Sequence, residues 1–250
     1  MTMSQKCPSY NCIVVFECKI SFLVGYSHFY VKLIYSGPVD LDRMKRAVAG
    51  LPVDGGMWCS VREPDYLVRE WMESLGMTQF TASTPIPIRN DYSSPRTLGM
   101  DRLAAAVGAW SMQPGNDILV VDAGTAVTFD LVSADGAYKG GNIAPGIELR
   151  FKALHEHTGA LPLVNAEGEI PLFGTDTATA IRSGVVNGIR HELYGFITRL
   201  SSTYPSLLVF LTGGDAGFFD IIGKSTTFAV PDLVLRGLAR VVDFNEKQII

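Results

Sequence analysis

Apolar and polar residues along this chain fall into two rhythms: a period of two marks a half-buried strand, and a period of about 3.6 marks one face of a helix. The first 35 residues are dense in apolar and aromatic side chains and can supply strands that cover a core. Residues 40–50 predict a helix with Asp42 near its start, Leu41, Met44, Ala47 and Val48 on one face, and a glycine as its stop. A strand at 57–61 and a helix at 64–75 follow, the helix carrying Leu67, Trp71 and Leu75 at four-residue spacing before Gly76. The prolines of 84–88 hold that run extended, and 90–95 reads as a loop. Residues 101–110 predict a helix with Leu103, Val107 and Trp110 in register and Asp101 near its N-terminus, where the backbone dipole favours an anion. After a break at 113–116, an apolar strand at 118–121, a glycine turn at 122–125 and an alternating strand at 126–132 form a hairpin. A turn at Asp135-Gly136 and a loop rich in glycine at 140–146 lead to a helix at 148–157. A long amphipathic helical region at 177–200 contains Gly184 and Gly188, and a strand at 207–211 runs into Thr212-Gly213-Gly214-Asp215. No element is predicted beyond that point.

Strand and helix alternate throughout, so the expected fold class is α/β. No linker of low complexity and no repeat of fixed period is visible. The break near 110–117 divides the chain into halves that both open on strand hairpins, and the expected domains are 1–114 and 115–250.

Composition narrows the partners. Of 250 residues, 47% are hydrophobic and 18% charged, too apolar for a disordered chain. With 21 basic against 25 acidic residues the net charge is −4, which lacks the basic excess that a nucleic-acid backbone demands. Cys7, Cys12, Cys18 and Cys59 contain no Cys-x-x-Cys pair, and His155 and His157, two apart, fall on different helix faces, so no zinc site is expected. Glu17, Lys19, His28 and Lys32 interrupt the apolar stretch at 13–35 and argue against a membrane span or secretory signal; a soluble cytoplasmic protein is the expectation. The first 35 positions nonetheless hold three of the four cysteines and seven aromatics, with Glu17 as their only acid.

Two segments carry candidate chemistry. In Asp122-Ala123-Gly124-Thr125 a strand delivers a carboxylate to a turn where Gly124 lets the backbone approach a ligand and Thr125 offers a hydroxyl and an N–H to a phosphate oxygen. The alternative is an ordinary hairpin whose Asp-x-Gly makes only the turn. In Tyr92 to Arg102, Asp101 can take a proton from a hydroxyl and Arg102 can hold an anionic substrate; the alternative there is a helix cap beside a surface arginine. The loop at 140–146 could pack against a ligand or a partner subunit, and Gly213-Gly214 could admit a nucleobase.

The order of these motifs is more specific than any one of them. Gly-x-Asp-Arg at 99–102, Asp-x-Gly-Thr-Ala at 122–126, Gly-Gly-x-Ile-x-Pro-Gly at 140–146, Gly-x-x-Thr at 174–177, Ser183-Gly184 and Thr212-Gly213-Gly214 together resemble type III pantothenate kinase, over about residues 60–241. That family lies in the acetate and sugar kinase, Hsp70 and actin superfamily. The resemblance implies two ribonuclease-H-like domains with a nucleotide cleft between them, and a homodimer whose interface completes the pantothenate site. It implies transfer of the ATP γ-phosphoryl group to pantothenate, with Mg²⁺ and a monovalent cation, K⁺ or NH₄⁺. Asp101 would be the general base, and Tyr92, Gly99, Met100, Arg102 and Thr177 would shape the pantothenate pocket. Asp122 would serve the cation, Gly124 and Thr125 the phosphates, and Gly213 and Gly214 the adenosine.

The chain departs from the family at its start, where members carry a strand and Asp-x-Gly-Asn-Thr. Here Ile13-Val14-Val15-Phe16 runs into Glu17-Cys18-Lys19-Ile20-Ser21, which keeps a carboxylate and a hydroxyl and replaces the glycine with lysine. Glu17 is the one candidate substitute. Either the segment has truly diverged or it is read from a shifted frame, which the nucleotide sequence would decide. The alternative function is a dimeric pantothenate-binding or regulatory homologue that has lost ATP phosphate binding; a third is a related kinase acting on another small hydroxy acid.

Overall fold

A computed structural model of the chain describes residues 10–16, 19–25, 31–37, 40–50, 55–60, 65–219 and 226–246. They form two compact units: Met1–Pro114 with Gly136–Tyr138 and Asp232–Ile250, and Gly115–Asp135 with Lys139–Pro231.

In the first unit, β1 (Tyr10–Phe16), β2 (Lys19–Gly25) and β3 (Val31–Gly37) form an antiparallel meander. Next come α1 (Leu41–Val48), β4 (Gly56–Ser60), α2 (Tyr66–Ser74) and β5 (Met77–Gln79), and the sheet order is β3-β2-β1-β4-β5 with β1, β4 and β5 parallel. The Asp40 side chain accepts the Arg43 N–H at 3.0 Å and the Asp65 side chain accepts the Leu67 N–H at 2.8 Å, so each helix begins on a residue that satisfies one of its orphan donors. Met44, Trp58, Val68, Met72 and Met77 form a core beneath them. Here α2 differs from expectation: Leu67 is 57% exposed, and the buried face passes through Val68 and Met72, with Trp71 and Leu75 along its margin.

The unit is completed by β6 (Arg89–Asn90), α3 (Met100–Met112) and α6 (Leu233–Glu246). Every residue of α3 from Arg102 to Ala109 is buried. Its alanines and Gly108 leave a low surface on which α6 lies close: a Cβ on Gly108 would sit 2.5 Å from the Leu233 carbonyl oxygen, and one on Gly237 would overlap that of Ala104. This packing corrects the expected division, which gave all of 115–250 to the second half, because α6 belongs with α3.

The second unit opens on the expected hairpin, β7 (Ile118–Ala123) antiparallel to β8 (Ala126–Ser133), with Asp122 opposite Thr128. β9 (Ala137–Pro145) follows, then α4 (Ile147–Glu156), α5 (Thr177–Ser201), β10 (Leu208–Thr212) and β11 (Thr226–Ala229). Residues 140–146 are therefore mostly strand rather than loop, and Gly141 explains why: a Cβ there would overlap the Phe129 carbonyl oxygen of β8. The strands lie in the order β11-β10-β7-β8-β9, with β10 parallel to β7 and to β11. That is the arrangement of the first unit again: the first strand has the next two strands on one side and two later strands, parallel to it, on the other. Phe129, Val185, Val186, Ile189 and Val209 belong to its core, each contributing about 1.5–3 kcal/mol over an exposed position as an upper estimate.

Candidate active site

In the first unit Gly99, Met100, Asp101 and Arg102 lie together at the head of α3. Gly99 is the N-cap and makes no side-chain cap bond; Asp101 lies in the first turn and its Oδ1 accepts the Arg102 N–H at 2.9 Å. The cap of α3 is thus not Asp101, and Arg102 is only 6% exposed, so the ordinary picture of a capping acid beside a surface arginine fails on both counts. A Cβ on Gly99 would lie 2.5 Å from Asp101 Oδ1 and 3.6 Å from Arg102 Cδ, so the absent side chain is what leaves the carboxylate its place. Asp101 thus sits at the positive end of the helix dipole. Met100 is half-buried, as is Tyr92, whose N–H donates to Asn90 Oδ1 at 3.0 Å.

In the second unit the expected phosphate turn is built from three chain segments. Asp122 lies in β7 with Thr128 opposite on β8 and Thr212 opposite on β10. Gly124 N–H donates to the Ala126 carbonyl at 3.0 Å, which closes the turn, and Thr125 is exposed at its tip. After β10 the chain doubles back at Gly213, φ +93°, where a Cβ would meet Asp122 Oδ1 at 2.5 Å and overlap the Ala123 carbonyl oxygen; Asp215 N–H then donates to that same carbonyl at 2.9 Å. Gly214 is exposed with open space at its Cα. The structure thus brings Asp122, Gly124, Thr125, Gly213 and Gly214 into one cradle. Two neighbours join it, one from the 140–146 motif and one the sequence pattern did not single out. Gly146, N-cap of α4, donates its N–H to the Thr125 carbonyl at 2.9 Å, and Asp130 is a carboxylate only 1% exposed that accepts the Thr128 hydroxyl at 3.1 Å. A Pro-Gly step just before a helical pattern was the available signal for the first; nothing local marks the second as buried.

Thr177 is the first residue of α5, exposed, behind the N-cap Asp176. Asp176 and Thr179 form a reciprocal capping box, and the hydrogen bond from the Thr179 N–H, with that from its hydroxyl, holds the Asp176 carboxyl below its ordinary value. Glu17, the candidate substitute at the first phosphate motif, lies outside the described residues, as does Cys18.

The family model for type III pantothenate kinase matches residues 45–199. A type III pantothenate kinase of Bacteroides fragilis is 54% identical over 221 residues, 88% of this chain and 91% of the relative. That of Phocaeicola vulgatus is 48% identical over 83% of this chain and 86% of its own, and that of Porphyromonas gingivalis 42% identical over 81% and 84%. Among solved structures, a protein described as a Baf family transcriptional activator from Campylobacter jejuni superposes with a TM-score of 0.59 at 20% identity, covering 95% of this chain and 99% of that one. An activator of 2-hydroxyisocaproyl-CoA dehydratase from Clostridium difficile reaches 0.54 at 10% identity over 96% and 97%. The structural likenesses show the α/β fold of the actin-like ATPases, and with relatives of this identity over more than four fifths of its length the chain belongs to the type III pantothenate kinase family.

Proposed function

We infer that this chain phosphorylates the primary hydroxyl of pantothenate with ATP, the first step of coenzyme A biosynthesis, and that Asp101 is its general base. Membership in the family carries the reaction. The observation that supports the base is the placement of Asp101 in the first turn of α3, beside the side-chain space left by Gly99. In the transfer, the hydroxyl oxygen forms the new bond to the γ-phosphorus as its proton passes to the Asp101 carboxylate, and ADP departs with the bridging oxygen. Little covalent chemistry is asked of the protein, so positioning and charge neutralisation dominate. Tyr92, Gly99, Met100, Arg102 and Thr177 shape the pantothenate pocket.

The cradle around Asp122 fits a nucleotide's phosphates, because a side chain at Gly213 would fill it. Gly124 and Thr125 would face the phosphates, Gly213 and Gly214 the adenosine, and Asp122 would hold a monovalent cation; Mg²⁺, when bound, would supply neutralisation of charge on the transferred group. A homodimer is supported by the exposed apolar side chains of the second unit, Ile143, Leu172 and Phe173, which are 65%, 70% and 82% exposed. A cytoplasmic location accords with this substrate; among the described residues no helix is long and apolar enough to cross a membrane. The impaired-homologue alternative finds no support among the relatives.

With ATP, Mg²⁺, K⁺ and pantothenate, the purified protein should yield phosphopantothenate, and Asp101→Asn should lower kcat about 10²–10⁴-fold while pantothenate still binds. Turnover by Asp101→Asn at the wild-type rate would remove the base from Asp101.

A further inference from the structure

We infer that Tyr138 is a positioning residue for pantothenate recognition, acting through the ring of Tyr92; this rests on the reading of Tyr92 as part of the pantothenate pocket. Tyr138, the second residue of β9, is 0% exposed, and its ring meets that of Tyr92 edge to face, with centroids 6.0 Å apart and planes at 62°. This geometry is the attractive one for two aromatic quadrupoles. The backbone beside Tyr92 is tied to the same place. β6 pairs in parallel with the start of β9, Arg89 with Ala137 and Asn90 with Tyr138. Arg89 N–H donates to the Gly136 carbonyl at 2.8 Å and Asp91 N–H to the Tyr138 carbonyl at 3.0 Å. The Arg89 guanidinium grips both Asp91 oxygens, at 2.8 and 3.2 Å, and Tyr92 N–H donates to Asn90 Oδ1 at 3.0 Å.

With its main chain so fixed, Tyr92 keeps only its side-chain rotamers, and the buried ring of Tyr138 selects among them. The start of β9 is itself set against α3. Gly136, φ +76°, turns so close to Trp110 that a Cβ there would lie 3.0 Å from the indole Cζ2. Trp110 stands near one end of the helix that carries Asp101 at the other, so the ring of Tyr92 and the carboxylate of Asp101 are both referenced to α3. Holding a half-exposed ring in one orientation before substrate arrives removes an ordering cost from binding.

The test is a set of steady-state measurements on Tyr138→Leu, Tyr138→Phe and Tyr92→Ala. Tyr138→Leu should raise KM for pantothenate about three- to tenfold, the range expected for losing one aromatic pair, with kcat and KM for ATP changed by less than about twofold. Tyr138→Phe, which keeps the ring, should restore the wild-type KM, and Tyr138→Leu should add nothing in a Tyr92→Ala background. A Tyr138→Leu variant with unchanged pantothenate KM, where Tyr92→Ala raises it, overturns the positioning role; so does Tyr138→Phe behaving like Tyr138→Leu. Tyr92→Ala without effect overturns the pocket reading of Tyr92 and the inference with it. Should Tyr138→Leu not fold, Tyr138→Met takes its place, and the Phe variant decides by itself if it departs from wild type.

Discussion

At Gly213 the backbone holds a left-handed φ with Asp122 Oδ1 and the Ala123 carbonyl crowding the position a Cβ would take. Gly213→Ala therefore meets a conformational cost of about 1–3 kcal/mol and a steric one that only movement of the turn relieves. KM for ATP should rise at least about tenfold while KM for pantothenate holds, because the displaced groups belong to the cradle proposed for the phosphates. Unchanged ATP kinetics would detach Gly213 from nucleotide binding. Single residues of this kind were partly legible. The Asp-x-Gly turn and Gly213-Gly214 stand out in the sequence, since few other residues permit such turns. The burial of Arg102 and Asp130 does not, because the letter of a charged residue says nothing of the walls around it.

At the scale of elements, two glycines in helices make opposite cases. On Gly237 of α6 a methyl group would overlap the backbone of α3, and backbone cannot swing aside as a side chain can. Gly237→Ala gains about 1 kcal/mol of helix propensity but should lose more, roughly 1–3 kcal/mol, to forced separation of the helices. On Gly195 of α5, where nothing lies within 4 Å, the same change should raise the apparent Tm. A higher Tm for Gly237→Ala would contradict the close approach. Helix starts were the more readable part: the helices expected at 40–50, 64–75 and 177–200 begin within two residues of α1, α2 and α5, although the capping side chains are those of Asp40, Asp65 and Asp176. The face of α2 was not. Leu67, Trp71 and Leu75 recur at four-residue spacing just as Val68 and Met72 do, and only the neighbouring sheet decides which stripe is covered. Strand β9 was hidden by Gly140 and Gly141, which read as a loop although Gly141 serves close contact with β8. Helix α6 drew no signal from caps, and its partner, α3, lies more than a hundred residues earlier.

Over the whole molecule, the two units share one strand order, and no repeat is visible in the sequence because strand direction and pairing can persist while side chains diverge. In the second unit Gly124 and Thr125 lie between the first two strands; the corresponding positions of the sequence in the first unit are Glu17 and Cys18, which lie outside the described residues. The letters at 124–125 suit the phosphate turn expected from the sequence and those at 17–18 do not, which is why the sequence offers one such motif and leaves the other without one. Ending the chain after Pro231 removes α6 and leaves the alanine-rich face of α3 uncovered. That variant should lose protease resistance in residues 40–114 and keep it in 115–231, as limited digestion followed by mass spectrometry would read out. Equal protection of both parts would mean that α6 is dispensable to the first unit.

The return of α6 to α3 also sets an order in time. On the ribosome the first unit is made first, but its closing helix emerges only after about 117 further residues, on the order of ten seconds of synthesis. During that interval the second unit, nearly continuous in the chain, has all its parts and can fold, while the nascent first unit waits with an apolar helix face open to chaperones. The half of the molecule translated first is the half finished last.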